Sequence, residues 1–305
     1  MAALPKVDWI WMDGKLVDWD SAQVHVLTHG LHYGSGVFEG IRCYETPDGP
    51  AVFRLTEHME RLERSAKALR MQLPYSVDDL VEATKAVIRA NKLPSCYIRP
   101  LLFKGYGVMG LNPLPAPDQA IIAVWPWESY LGEDALKHGI TAGISSWRQR
   151  AINSMPPAIK ATGNYLNSSL AKIESLDNGY EEAILLNEAG HVCEGTGENI
   201  FVVRDEILMT PPISDGLLEG ITRATLIALA DDMDIDVVES SLVRTDLYAA
   251  EEAFMCGTAA EIVPIRSVDH REIGDIGPIT KMLQEKYFEV VHGGDAEYEY
   301  WLERV

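Results

Sequence analysis

One lysine, Lys160, stands in the stretch PPAIKATGNYLNSSLA, residues 156–171, and between Arg150 and Lys172 the only other ionisable side chain is Tyr165. An amine held among apolar and small residues is partly desolvated, which lowers its pKa and makes it a nucleophile toward an aldehyde. A solvated lysine on a surface turn is the ordinary alternative. The choice between them depends on what else the chain supplies.

Glu194 and Glu198 lie in HVCEGTGENIFVV, residues 191–203, a glycine-rich link between two strand-like runs. An acid there can simply be solvated. Used chemically, it keeps a heterocyclic nitrogen protonated, because a nearby negative charge favours the charged ring. LEGITRATLIALADDM, from Leu218, is a glycine turn entering an amphipathic helix, so Ile221 and Thr222 fall where amides lack intrahelical acceptors. That is the form of a phosphate cradle, and equally of an ordinary capped helix. CGTAAEIVPI, Cys256–Ile265, is a strand running into a small-residue turn that admits a ligand or a close-packed helix. Each stretch alone has a plain structural explanation. Together, an amine, a carboxylate, a hydrogen-bond donor and a phosphate cradle are what pyridoxal phosphate requires of a protein.

The elements that must carry these residues are partly visible. Trp9–Trp19 reads as a hairpin around Asp13-Gly14. A helix is expected from an N-cap at Thr56, with Met59, Leu62, Ala66 and Leu69 at helical spacing, and another from Ser76 with Asp79 as a capping-box variant. SCYIRPLLFK and QAIIAVWPW read as buried strands. Further strands are expected near ITAGISSW, EAILLN, NIFVVR and EAFMCGT, with helices after Gly163, Gly220 and Gly277. ESYLGEDALKHG is polar and punctuated by glycine, so it reads as a connection. The expected division is a small α+β domain over 1–126, an interdomain loop over 127–138 and a large α/β domain over 139–305.

Composition excludes several classes of function. The chain has 305 residues, 26 basic and 46 acidic, for a formal charge of −20. Such a field repels nucleic-acid backbones and anionic membranes, so neither is an expected partner. Cys43, Cys96, Cys193 and Cys256 are far apart, without C-x-x-C or zinc spacing, so they read as reduced core thiols and no metal is expected. There is no basic n-region followed by an apolar run and no membrane-length apolar segment, so the expected location is the cytoplasm. No G-x-S-x-G, Walker loop, H-E-x-x-H or strand-borne G-x-G-x-x-G is present.

Six blocks, in order along nearly the whole chain, carry a resemblance: HYGSGVFEGIRCYE (His32–Glu45), YIRPLLFKG (Tyr97–Gly105), KATGNYLNS, CEGTGENIF, LEGITR and MCGTAAEIVPIRSVD. They closely resemble the branched-chain amino acid aminotransferases, members of the fold-type IV pyridoxal phosphate enzymes. The resemblance implies a two-domain α+β fold-type IV architecture with the cofactor in an interdomain cleft. It implies an exchange of amino groups between leucine, isoleucine or valine and 2-oxoglutarate or L-glutamate, by a ping-pong mechanism through pyridoxamine phosphate.

The same resemblance implies roles. Lys160 carries the cofactor and moves the proton at Cα. Tyr165 hydrogen-bonds the cofactor's phenolate oxygen and Glu194 its pyridine nitrogen. Arg61, Ile221, Thr222 and Thr258 hold the phosphate; periodicity by itself does not choose Arg61 over Arg64. Phe38, Tyr97, Arg99, Trp127, Tyr130, Thr258 and Ala259 line the substrate side, with Tyr33 and Leu111 at or near a second subunit of a homodimer or dimer-based assembly. Glu219 departs from what suits a phosphate site and is expected to point away. Fold-type IV also includes D-amino acid aminotransferases, R-selective amine transaminases and aminodeoxychorismate lyases; Tyr97 with Arg99, and Gly257–Ala260, favour the branched-chain branch. A noncatalytic binder that keeps the fold is a further alternative, against which stands the intact set of lysine, tyrosine and glutamate.

Overall fold

The Asp13-Gly14 dipeptide reverses the chain as its sequence predicts. Both residues take positive φ, 46° and 86°, the twist that lets a two-residue turn join right-handed strands. Strand β1 (Trp9–Met12) accordingly pairs antiparallel with β2 (Lys15–Asp18). The structure is a computed structural model, which describes residues 4–127 and 132–305. Its chain divides into two compact units. The first comprises Met1–Glu128, Ile159–Gly163 and Glu289–Val305; the second comprises Ser129–Ala158 and Asn164–Phe288.

In the first unit, helix α1 (His29–Tyr33) leads into β3 (Gly36–Phe38), β4 (Ile41–Thr46) and β5 (Gly49–Phe53). Helices α2 (Leu55–Ala68) and α3 (Val77–Asn91) follow, then β6 (Cys96–Lys104) and β7 (Asp118–Trp125). The strands form one antiparallel sheet in the order β5-β4-β6-β7-β1-β2, with β3 on β6. Leu55, Met59 and Leu62 of α2 and Leu80, Val87 and Ile88 of α3 are buried in one cluster with Ile41, Val52, Ile98 and Ile122 of the sheet. Each such side chain contributes about 1.5–3 kcal/mol on burial.

A proline in a central strand needs explanation, since it cannot donate to a ladder. Pro100 lies on β6 where its neighbour changes from β4, which ends its pairing at Ile98, to β3, which begins at Leu101. Its carbonyl accepts from Glu39 N at 3.0 Å, so the side lacking an N–H faces the break between β3 and β4. Glu39 and Gly40 occupy that break.

Two local expectations change. Helix α2 starts from Arg54, in the left-handed region at φ 51°, and not from a Thr56 cap. Thr56 instead donates through both its amide and its hydroxyl to Glu303 Oε1, at 2.7 and 2.8 Å. The second change concerns 127–138: Glu133–His138 is helix α4, bounded by Gly132 and Gly139, and 128–131 lie outside the described residues. The chain also re-enters the first unit more often than a single connection implies. Ala161 bridges Val37, and the C-terminal strand Leu302–Arg304 pairs with β5.

The second unit holds β8 (Ile140–Arg148), α5 (Tyr165–Asp177), β9 (Glu182–Leu186), β10 (Val192–Glu194), β11 (Asn199–Arg204) and β12 (Ile207–Thr210). Next come α6 (Ile221–Asp232), β13 (Val237–Glu239), α7 (Arg244–Tyr248), β14 (Glu252–Gly257), β15 (Glu261–Val268), β16 (Arg271–Glu272) and α8 (Pro278–Val291). The sheet order is β10-β9-β8-β15-β14-β11-β12-β13, with β16 on β15. β8 pairs in parallel with both β9 and β15, so both of its edges are taken up within the sheet. All four cysteines are buried free thiols. Among the described residues no helix is long and apolar enough to cross a membrane, and no group of three metal-ligating side chains occurs.

Candidate active site

Lys160 belongs to the first unit, on a segment fixed by its backbone. Its carbonyl accepts from Phe38 N at 3.1 Å and its amide donates to Ser65 Oγ of α2 at 3.3 Å. Thr162 Oγ1 donates to the Gly34 carbonyl at 2.9 Å. The half-buried side chain places Nζ 5.3 Å from the centre of the Phe38 ring.

Phe38 joins the amine to a row of aromatic groups. Arg99 lies over the rings of Phe38 and Tyr97, and its Nη2 donates to the Tyr97 hydroxyl at 3.1 Å. Tyr97 packs against Trp125 at 5.0 Å and Trp127 at 4.9 Å between ring centres. Register explains the arrangement: Tyr97 and Arg99 are two apart on β6, hence on one face, and Tyr97 stands directly opposite Trp125. Gly40 makes room, because a side chain there would collide with the Tyr97 hydroxyl. Tyr33 and Leu111 are exposed, Leu111 by 89%, and Tyr130 lies outside the described residues.

Arg61, expected at a phosphate, is buried on α2 and forked onto Glu39. Its Nε donates to Oε1 and its Nη2 to Oε2, both at 2.7 Å. His58 Nδ1 lies 2.8 Å from the same Oε2. Burial acts to raise the Glu39 carboxyl, but Arg61 and His58 outweigh it and hold the group well below the usual carboxylate range. Glu39 is therefore ionised and can only accept, so His58 Nδ1 carries the proton it donates. Burial lowers the His58 pKa, against the pull of Glu39.

In the second unit Glu194 is held from several sides. Oε1 accepts from Gln149 Nε2, Oε2 accepts from Leu218 N at 3.0 Å, and Arg150 Nη2 stands 3.9 Å away. Arg150 donates to the carbonyl of Asn164, the residue before Tyr165. Burial lowers the Arg150 pKa, opposed by the charges of Glu194 and Tyr165. Glu198 stands four residues further on, in the same glycine-rich link. It is buried, and its pKa is pushed up to about 8 by that burial and by the nearby Glu182 charge.

Helix α6 begins at Gly220, an N-cap with no side chain to satisfy the first-turn amides. A methyl group at 220 would run into the side-chain oxygen of Asn199. Thr222 is buried and Glu219 is exposed. Arg223 points elsewhere, to Thr210 Oγ1, the Pro211 carbonyl and Glu239. Thr258 and Ala259 form the turn between β14 and β15, beside the glutamate loop, since Cys256 pairs with Asn199.

Sequence reasoning passes over Glu39, His58, Ser65, Gln149 and Arg150. His58, Arg61 and Ser65 recur at helical spacing on the buried side of α2, and polar residues on an apolar face signal a partner. Gln149 has no comparable signal.

Comparison with known proteins decides the family. The model of the family described as amino-transferase class IV matches residues 36–268. The branched-chain-amino-acid aminotransferase of Escherichia coli strain K12 is 49% identical over 304 residues, covering 98% of each chain. The chain belongs to the branched-chain-amino-acid aminotransferases. The aminotransferase of Pseudomonas aeruginosa is 47% identical over 294 residues, covering 96% of this chain and 95% of its own. Among solved structures, the Escherichia coli enzyme superposes with a TM-score of 0.96 at 49% identity, covering 98% of this chain and 99% of that one. The branched-chain aminotransferase of the thermophilic archaeon Thermoproteus uzoniensis, solved with norvaline, gives 0.93 at 45% identity, covering 97% of this chain and 98% of that one. Fold-type IV architecture and α+β class thus hold for this aminotransferase.

Proposed function

We propose that this aminotransferase exchanges the amino group between leucine, isoleucine or valine and 2-oxoglutarate by a ping-pong mechanism, with pyridoxal phosphate held on Lys160. The residues fit that cofactor. Lys160 offers an amine, Glu194 a carboxylate already oriented by Gln149 and Leu218 N, and α6 a first turn without a side-chain cap. When bound, the cofactor supplies an aldehyde for the amino group and a ring that accepts the electron pair left at Cα.

The protein's part is binding, orientation and proton transfer. Glu194 holds a proton on the ring nitrogen, and Tyr165 donates to the phenolate oxygen. Arg61, the Ile221 and Thr222 amides and Thr258 hold the phosphate, an anion suited to a helix N-terminus. Lys160 takes the Cα proton and would return it to the carbon of the cofactor's aldehyde group, C4′. The observation that carries the reading is the row Lys160, Phe38, Arg99, Tyr97. A cation near aromatic rings supports a reading in which one pocket takes both a distal carboxylate and an aliphatic side chain. Solved structures of a related branched-chain aminotransferase, 45–46% identical to this chain, hold N-(5'-phosphopyridoxyl)-L-glutamate and 4-methylvaleric acid, an acidic and an aliphatic ligand.

Two copies of the chain form the working unit in this reading. Val26, Leu31 and Tyr33 are exposed beside Tyr106, Met109 and Leu111, with the two stretches joined by His29 to the Gly110 carbonyl at 2.8 Å. Apolar surface gathered in this way suits a protein partner.

A panel of amino donors with 2-oxoglutarate tests the function: L-leucine, L-isoleucine and L-valine react, while D-alanine and (R)-amines lag far behind. Preference for a D-amino acid or an (R)-amine would overturn it. Lys160→Ala abolishes turnover, and borohydride reduction followed by peptide mapping places the cofactor on Lys160 and on no other lysine.

A further inference from the structure

Three polar side chains line the buried side of α2, and they do not act alike. Ser65 supports the Lys160 backbone. His58 and Arg61 both turn to Glu39, whose carboxylate is fully buried at the break between β3 and β4. A carboxylate placed there is costly unless it is paired with a cation and hydrogen-bonded. The Arg61 fork and the His58 N–H supply those partners. The fork also fixes the plane of the guanidinium, with Nε and Nη2 toward Glu39. A lone arginine on a helix would sample many rotamers; this one is clamped along one edge.

We propose that Glu39 and His58 are positioning residues for Arg61, holding its guanidinium in the orientation that meets the phosphate group of the cofactor. The proposal rests on the reading of Arg61 as a phosphate contact. The backbone links the clamp to the rest of the site. Glu39 follows Phe38, whose amide donates to the Lys160 carbonyl, and the Glu39 amide donates to Pro100. The carboxylate that orients the anion-binding cation is thus built on the same turn of chain that seats the amine. Pro100, unable to donate, leaves the β3–β4 break open for it. Gly40, the other residue of the break, leaves space for Tyr97.

A merely structural ion pair would affect every ligand alike, whereas a positioning role shows itself against the phosphate alone. The test compares equilibrium binding of pyridoxal phosphate and of pyridoxal, which lacks the phosphate, to apo-protein regenerated from holoenzyme. In wild type the ratio of the two affinities reports the phosphate contacts. Arg61→Met lowers that ratio by about tenfold to a hundredfold, the loss of a charge-assisted hydrogen bond. Glu39→Gln, which keeps the shape and loses the charge of the fork, lowers it by about tenfold while pyridoxal binding stays within twofold of wild type. His58→Asn, whose amide can replace the Nδ1 donor, restores most of what His58→Leu loses. Glu39→Gln added to Arg61→Met changes the ratio no further.

The outcomes separate the two layers of the argument. A lowered ratio in Arg61→Met with an unchanged ratio in Glu39→Gln and His58→Leu overturns the positioning role and leaves the phosphate contact standing. An unchanged ratio in Arg61→Met overturns the phosphate contact and the positioning role with it. Equal losses for both ligands in Glu39→Gln mark the clamp as structural. Should Glu39→Gln not fold, His58→Leu and Arg61→Met carry the same comparison.

Discussion

Arg99 lays its guanidinium 4.7 Å from the centre of the Phe38 ring. Its Nε is buried and meets no acceptor among the described residues, although Nη2 is used by Tyr97. A buried donor without a partner is costly, and an anion that reaches it removes that cost.

Arg99→Met keeps much of the volume and removes the charge. The glutamate half-reaction falls by roughly tenfold or more, and the leucine half-reaction, which draws on apolar contact with Phe38 and Trp127, changes little. Single-turnover spectroscopy with each donor measures the two separately. Equal losses would mean that Arg99 serves the α-carboxylate or only supports Tyr97.

Glu194→Gln should fold, since one side-chain oxygen can still accept from Leu218 N. Its new amide would face Gln149 Nε2, donor against donor, and the ring nitrogen would lose its charged partner. Turnover slows by about a hundredfold or more, as when a stabiliser of developing charge is removed. Circular dichroism alongside kcat separates this from unfolding. Full activity would move the role to Glu198 or to no residue.

Glu198 gives a prediction about pH. Burial and then Glu182 push its pKa from 4.5 to about 8, so the folded protein keeps a proton that the unfolded chain has released. Its contribution is therefore unfavourable and grows as pH rises from about 4.5 to about 8, above which it levels off. Glu198→Gln removes the ionisable group. The stability of this variant relative to wild type should improve between pH 5 and pH 8.5, by up to roughly 4 kcal/mol at about 1.4 kcal/mol per unit. Urea unfolding of both proteins at the two pH values measures the difference. A difference that does not change with pH would show that Glu198 is already ionised at pH 5.

What the sequence shows of this fold follows the range of the forces involved. The Asp13-Gly14 turn and the Ser76–Asp79 capping box are settled within four residues, and both read directly. Glycines at 132 and 139 bracket a short helix that composition alone passes for a loop. Arg54, not Thr56, begins α2 because Glu303 takes the threonine, and no local pattern announces a partner 247 residues away. The resemblance names Lys160, Glu194 and Arg61; it gives no role to Glu39, which lies inside the first block, or to Gln149, which lies in none. Those two act through side chains that meet their partners after the strands and helices have packed.

Lys160 rides on a five-residue return, Ile159–Gly163, into a unit whose other segments stop at Glu128 and resume at Glu289. Heredity follows the chain and not the unit. One recombination breakpoint between residues 129 and 158 would join the native sheet to a foreign lysine segment and a foreign C-terminal edge strand; one between 164 and 288 would still replace the edge strand. Genes trade parts most easily when the ends of a part coincide with the ends of a folding unit. Here they do not, so a single breakpoint between 129 and 158 parts the Lys160 segment from the strand whose Val37 its neighbour Ala161 bridges.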